Sequence, residues 1–429
     1  MQLTNKIFLV IIFYLILAIW FYFYKKVDIK LFDKAFKINI PINNSRFHIS
    51  RINSFKNSDI RLKENSNDKL NEYVNFFNSN INVTKNATRK VIFCEPRGSG
   101  YGNRLYTFFS CFVVALLTDS LVILTGWHET RDFIDLPLNL FYETNASNEL
   151  NPKFEKEKIH GFGVPYAWSA KKDLNSLMNF QIPKDRTRFH YGGYESLFMV
   201  LCTNPIHYDK LLYYNLVKNE TVQKSIKTMN HPNSTYVEKN HDLFMIGFEV
   251  GANLMNKIIM PKPRIQEFIN DFLRRDFVDN YVIGIQLRTL YLDVEKDSLR
   301  FLNCAFQIEN EYLRWSKSEP KPVKWYISSD SEDLLKKIVA LYPDKTLAGN
   351  GSILHVADHS HGYYRTLIDV DLLSRCDELI HTGGSTFGFV SAMKSFKVPY
   401  FVDGKSKSMK CSRTTLGTSS QLPTGEGVF

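Results

Sequence analysis

Arg288 ends Tyr281-Val282-Ile283-Gly284-Ile285-Gln286-Leu287, an apolar run of strand length that finishes in a polar, cationic edge. Its β-branched and aromatic residues are those a buried strand prefers. An open α/β sheet receives ligands just outside the carboxyl ends of its strands. Gln286 and Arg288 therefore belong at the mouth of a crevice, and the planar guanidinium fork suits phosphate. The alternative is an arginine that caps a helix or makes a surface ion pair. A second anion-suited strand end follows at Gly383-Gly384-Ser385-Thr386-Phe387-Gly388, where a strand turns into a helix. Free backbone N–H groups and the helix dipole favour an anion there, and the hydroxyls of Ser385 and Thr386 add donors. Taken alone, the segment also reads as a serine N-cap after a glycine turn. Two such ends in one sheet point to a diphosphate site.

The elements that must position these residues follow from the hydrophobic pattern. After Arg288 the spacing predicts a helix at Cys304–Trp315, a strand at Val323–Ser328, a helix at Glu332–Leu341 and a short strand at Ile353–Val356. A helix at Tyr364–Arg375, a strand at Glu378–Thr382, a helix from about Ser385 and a strand at Val398–Val402 complete the pattern. Strands alternating with helices of this length make βαβ units and a parallel sheet. Upstream, Val91–Cys94, the glycine loop Arg97-Gly98-Ser99-Gly100-Tyr101-Gly102-Asn103-Arg104, an apolar helix Leu105–Leu117 and Leu121–Leu124 form another βαβ unit. The loop's spacing is GxGxG and no acidic residue ends the second strand, which argues against a nicotinamide dinucleotide. Between Gly126 and Asp279 the pattern is irregular and rich in Tyr, Phe and His.

The chain has 429 residues, 44% hydrophobic and 14% aromatic, enough for a large core in two domains. Its formal charge of +10 is dispersed, with no Lys/Arg stripe, so nucleic acid is excluded as a partner. Ile7–Tyr24 is an unbroken apolar run between Lys6 and Lys25-Lys26. As a helix it spans about 27 Å, enough for a thin bilayer of the secretory pathway. A cleaved signal peptide competes, but Trp20, Tyr22 and Tyr24 crowd the cleavage end and favour a retained anchor. From about Val27 to Arg89 the chain is rich in Asn, Lys, Ser and Asp and reads as a tether. The Asn-X-Ser/Thr acceptors Asn43, Asn82, Asn86, Asn145, Asn219, Asn233 and Asn350, and all six cysteines, lie after the anchor. An oxidising lumen permits disulfides among the cysteines, with buried free thiols the alternative for Cys111 and Cys376.

Four segments carry a family resemblance: PRGSGYGNRL (Pro96–Leu105), VIGIQLR (Val282–Arg288), WYISSDSED (Trp325–Asp333) and TLIDVDLLSRCDELIHTGGSTFGFVSA (Thr366–Ala392). Together they resemble the plant xyloglucan-type alpha-1,2-fucosyltransferases, with their glycine loop ending in GNR, GIQ-x-R strand and late STFGY segment. The stretch LFMIGFEVGANLMNKIIMP after His241-Asp242 follows the family too. Phe389 replaces the family's tyrosine, and the tail keeps one cysteine, Cys411.

The resemblance implies an α/β fold of two facing Rossmann-like, GT-B-like domains after a transmembrane helix and stem. Its boundaries are 1–26 for the cytoplasmic tip and anchor, 27–90 for the stem, 91–280 for the acceptor-side domain and 281–429 for the GDP-fucose-binding domain. It further implies a Golgi-membrane, single-pass type II protein with a luminal body that moves fucose from GDP-fucose to a galactose-containing glycan. Arg288 is expected on the donor diphosphate with Ser385, Thr386, Phe387 and Gly388. Asp369 is expected on guanine, with Gln286, Ser328, Ser329 and Asp330 completing the nucleotide side, and Gly100, Gly102, Asn103 and Arg104 forming an acceptor-side loop. The base that takes the acceptor proton is sought among Asp293, Glu295 and Asp297, with His359 and His361 as further candidates; each acid alone also reads as a solvated loop residue. Asp369-Val370-Asp371 spells a metal-binding DxD, but helical residues two apart point about 200° apart, so no shared metal and no cofactor are expected. An alpha-1,6 or protein O-fucosyltransferase, and a glycan-binding relative without turnover, are the rival readings.

Overall fold

The computed structural model describes residues 69–80, 91–96, 100–124, 127–136, 188–191, 197–289, 294–316, 319–348, 362–402, 411–414 and 416, all within the unit Asn65–Phe429. The expected anchor at residues 7–24 and strand at 353–356 lie outside them. Among the described residues no helix is long and apolar enough to cross a membrane.

The expected stem includes a folded element, α1 (Lys69–Asn80). Leu70, Tyr73 and Val74 sit one helical turn apart and are buried, and Tyr73 Oη donates to the Ser120 carbonyl at 2.8 Å. Strand β1 (Val91–Cys94), helix α2 (Tyr101–Thr118) and strand β2 (Leu121–Leu124) form the expected βαβ unit, with β1 parallel to β2 from Val91↔Leu121 to Cys94↔Leu124. Helix α2 is apolar on every side because it is a core helix, and it ends where Asp119 turns left-handed at φ 53°. A short pair partner β3 (Ile134–Asp135) follows, and β4 (Arg188–Tyr191) adds to the other edge of β1, giving a parallel sheet β2-β1-β4.

The expected irregularity from Gly126 to Asp279 is not what residues 197–277 show. They form α3 (Leu197–Leu201), α4 (Tyr208–Tyr213), α5 (Asn219–Asn230) and α6 (Tyr236–Lys257), then β5 (Met260–Pro261), which pairs β3, and α7 (Pro263–Phe272). Helix α6 starts in a capping box: Thr235 Oγ1 accepts from Glu238 N–H while Glu238 reaches back to Thr235 N–H. Gly247 and Gly251 on α6 lie one turn apart, and a Cβ at Gly247 would stand 2.8 Å from the Met199 Cα. That close approach packs α3 onto α6.

The second sheet holds β6 (Tyr281–Leu287), α8 (Val294–Trp315), β7 (Val323–Ser329), α9 (Glu332–Leu341), β8 (Thr346–Ala348), α10 (Gly362–Arg375), β9 (Glu378–Thr382), α11 (Thr386–Lys394), β10 (Tyr400–Val402) and β11 (Ser412–Arg413). Its strand order is β11-β10-β9-β6-β7-β8, parallel except for the β10–β11 pair. Strand β6 is buried on both faces: Ile283, Ile285 and Leu287 meet Phe301, Leu302 and Ala305 of α8, while Val282 and Gly284 face the layer of α10. Disulfides join Cys94 to Cys111 and Cys304 to Cys411, so Cys111 is bridged, whereas Cys202 and Cys376 are buried thiols.

Glu249 is a buried carboxyl in the middle of α6. Burial lifts it above its ordinary value of 4.5, against hydrogen bonds from the Thr221 side chain and the Lys218 backbone that pull it down. The folded state thus holds this proton more tightly than the unfolded chain. The resulting stabilisation is complete below about pH 4.5 and is lost as pH rises through the native value. Glu249→Gln should therefore gain on the wild type in melting temperature between pH 4 and pH 7, read by thermal unfolding across that series. A pH-independent difference would show that burial does not govern this carboxyl.

Candidate active site

The chain runs β6, β7, β8 toward one edge of the large sheet and then returns to place β9 on the other side of β6. Strand β6 is followed by α8 and β9 by α11, and the strand order reverses between them, the kind of point at which α/β sheets bind ligands. Both expected anion-binding ends stand there. The Thr382 hydroxyl joins them: it accepts from the Arg288 N–H at 2.8 Å and donates to the Gln286 carbonyl at 3.2 Å. Arg288 Nη1 donates to Asp330 Oδ2 at 2.8 Å, and its side chain is 28% exposed. On the β9 side, Gly384 takes φ 78°, a conformation open to glycine, and turns the chain into α11. Ser385 is the N-cap but makes no side-chain cap bond, so the first-turn N–H groups receive no side-chain cap.

The glycine loop reaches the same place. A Cβ on Gly102 would lie 2.7 Å from the carbonyl carbon and Oγ1 of Thr386 and 2.9 Å from Phe387 N, so the first turns of α2 and α11 abut. Gly102 is thus set against the donor-side helix, and Gly100 is its helix's N-cap. Arg104 is buried and donates to Tyr363 Oη, which also accepts from Trp127 Nε1 at 2.9 Å. Arg104 therefore ties α2 to α10. Asn103 is half-buried, and its carbonyl accepts from the Thr107 hydroxyl.

Several expected nucleotide contacts are occupied within the fold. Gln286 is 3% exposed, and its Oε1 accepts from Thr382 N–H at 3.3 Å beside Gly388. Asp369 is 4% exposed and accepts from Tyr326 Oη, Ser328 Oγ and Arg365 Nε, each at 2.6 Å. Its carboxylate braces α10 to β7. Ser329 Oγ accepts from Ser331 N–H in the turn that starts α9. Asp371 points to a different set, pairing with Lys394 and Arg375. Burial opposes its ionisation, yet Lys394 and Arg375 hold its carboxyl below the ordinary range. The two acids of the DxD diverge, as helical spacing requires. Among the described residues no group of three or more His, Cys, Asp or Glu side chains is placed to hold a metal ion.

Of the acids considered as base, Asp297 is buried at 2% exposure in an ion pair with Arg300 at 3.2 Å. Glu295 is the second residue of α8. Asp293, His359 and His361 lie outside the described residues. Sequence reasoning missed His381, which is 5% exposed beneath α11. Its Cβ would stand 2.5 Å from a Cβ at Gly388, and its ring lies against the Thr382 backbone. Burial pushes its imidazole down to about 4, so it is neutral at physiological pH. Phe389 is buried beside it, 5.4 Å from Phe248.

No known family model and no curated protein sequence matches the chain. Solved structures do. An arginine-to-lysine mutant of FUT1 from Arabidopsis thaliana, in complex with GDP, aligns over 82% of this chain and 82% of its own at 14% identity and a TM-score of 0.50. NodZ alpha-1,6-fucosyltransferase from Bradyrhizobium, co-crystallized with GDP, aligns over 77% of this chain and 99% of its own at 15% identity and a TM-score of 0.46. The FUT1 match is a likeness of fold: α/β with parallel sheets.

Removing the Asp369 carboxylate would take the acceptor from three donors at once, Tyr326 Oη, Ser328 Oγ and Arg365 Nε, and break a buried ion pair. Asp369→Ala should then cost about 3 to 5 kcal/mol in denaturant unfolding, the usual loss when one partner of a buried pair is removed. A variant of unchanged stability that binds guanine nucleotides more weakly would make Asp369 a base reader instead of a brace.

Proposed function

We propose that this chain is an inverting glycosyltransferase that moves L-fucose from GDP-fucose to a hydroxyl of a terminal galactose on a glycan, by alpha-1,2 linkage. The observation that carries the reading is the meeting of Arg288 and the uncapped first turn of α11 across Thr382, at the point where the strand order reverses. A diphosphate matches that cradle, because a planar guanidinium and a helix N-terminus both favour a multiply charged oxygen cluster. The motif resemblance and the fold shared with a GDP-bound protein support the nucleotide sugar as its bearer.

In the proposed reaction the acceptor hydroxyl attacks the anomeric carbon from the face opposite GDP. The new C–O bond forms as the bond to the β-phosphate oxygen breaks, and GDP leaves with the electron pair. Arg288 and the α11 N–H groups meet the charge growing on that oxygen, the electrostatic part a metal ion plays elsewhere. The acceptor proton passes to a carboxylate or an ordered water. Because Asp297 is already paired with Arg300, Asp293 and Glu295 are the acids assigned to this step.

The setting is part of the same proposal. Ile7–Tyr24 anchors the chain in the Golgi membrane with its body luminal, and residues before Lys69 lead from anchor to folded unit. The Cys94–Cys111 and Cys304–Cys411 bridges suit an oxidising lumen.

An acceptor-array screen with labelled GDP-fucose tests the reading. Label should appear on galactose-terminated glycans and persist in excess EDTA. Transfer to peptides or to the 6-hydroxyl would move the chain to a rival acceptor class, loss in EDTA restored by manganese would return the metal, and absence of both transfer and donor hydrolysis would refute catalysis.

A further inference from the structure

Asp330 lies one residue beyond β7, across the carboxyl edge of the sheet from Arg288. Its two oxygens are divided: Oδ2 accepts from Arg288 Nη1 at 2.8 Å and Oδ1 from the Thr289 backbone N–H at 2.8 Å. With Thr382 on the Arg288 N–H, the backbone is clamped from β9 and β7, and Asp330 extends the clamp to the guanidinium. We propose that Asp330 is a positioning residue, which aims Arg288 at the leaving diphosphate and does not itself touch the nucleotide; the inference rests on the diphosphate reading above.

Two roles compete for a carboxylate in this place. As a rival anion it would neutralise Arg288 and repel the diphosphate, so that its removal would tighten nucleotide binding. As a positioner it would hold the guanidinium in one orientation, so that its removal would weaken binding. The geometry favours the second role for three reasons. The Thr289 N–H fixes the carboxylate independently of the guanidinium. The contact uses Nη1, leaving the other N–H donors of the five-donor guanidinium for a second anion. The pair is also partly exposed, at 28% and 23%, where an ion pair by itself adds little to stability, so a purely structural role is weak. A long side chain with its head already oriented loses less freedom when its ligand arrives.

The test is a double-mutant cycle on GDP affinity, measured by calorimetry beside thermal unfolding, for the full-length protein, Asp330→Asn, Arg288→Ala and the double variant. Asparagine keeps an oxygen for Thr289 N–H but removes the charged acceptor from Nη1. With Arg288 present, Asp330→Asn should weaken GDP binding about tenfold, the scale of one lost charge-assisted contact. With Arg288→Ala, the same change should leave affinity unchanged or tighten it, because an anion has gone and there is no guanidinium left to aim. Tighter binding with Arg288 present would make Asp330 a rival anion and overturn the proposal. Equal weakening in both backgrounds would mean that Asp330 touches the nucleotide or acts through folding, and would overturn it too. Arg288→Ala binding GDP as well as the wild type would instead remove the diphosphate reading beneath it. Should Asp330→Asn unfold, Asp330→Glu takes its place, with weakening again confined to the Arg288 background.

Discussion

The structure around the candidate site depends on one hydroxyl. Thr382 ends β9 and bridges to β6 with both of its hydrogen-bonding functions, accepting from Arg288 N–H and donating to the Gln286 carbonyl. The β6–β9 ladder ends at Gln286↔His381. The Thr382 hydroxyl carries the contact one residue further and links the arginine to the strand that turns into α11. A buried hydroxyl with both roles filled is well suited to this, since either bond lost would leave a buried polar group unpaired.

Close packing carries the same constraint outward. Gly388 admits His381 and Gln286 against the first turn of α11, and Gly102 admits Thr386. Arg104 and Trp127 converge on Tyr363, so the first βαβ unit is tied to α10 as well as α11. The helix that would bear the diphosphate is therefore held by β6 and β9 beneath it and by α2 beside it. From behind, α6 presses on α11 through Phe248 against Phe389. A diphosphate arriving in the proposed site would meet groups already held in place, the condition under which fixed dipoles stabilise developing charge most.

Much of this was legible in the sequence, because it is written in local patterns. The runs Tyr281–Leu287, Glu332–Leu341 and Glu378–Thr382 have the period and the flanking turns of their elements, and the structure keeps those bounds. Two features were present but passed over. The Thr235-x-x-Glu238 capping box announces α6, and Leu70, Tyr73 and Val74 at helical spacing announce α1. Other features have no local signal. Asp330 meets Arg288 across 42 positions of sequence, and the bonds that brace Asp369 come from Tyr326 and Ser328 on a neighbouring strand. Pairings between strand ends are set by sheet order, which a single chain's pattern of apolar residues does not encode.

The most direct test of the account is a crystal structure of the protein with GDP. It predicts the diphosphate in the crevice between β6 and β9, with its oxygens on the Arg288 guanidinium and on the N–H groups of Thr386 and Phe387, and with Thr382 still bridging the two strands. A diphosphate bound elsewhere, with Arg288 paired only to Asp330 and the first turn of α11 facing no ligand, would contradict it.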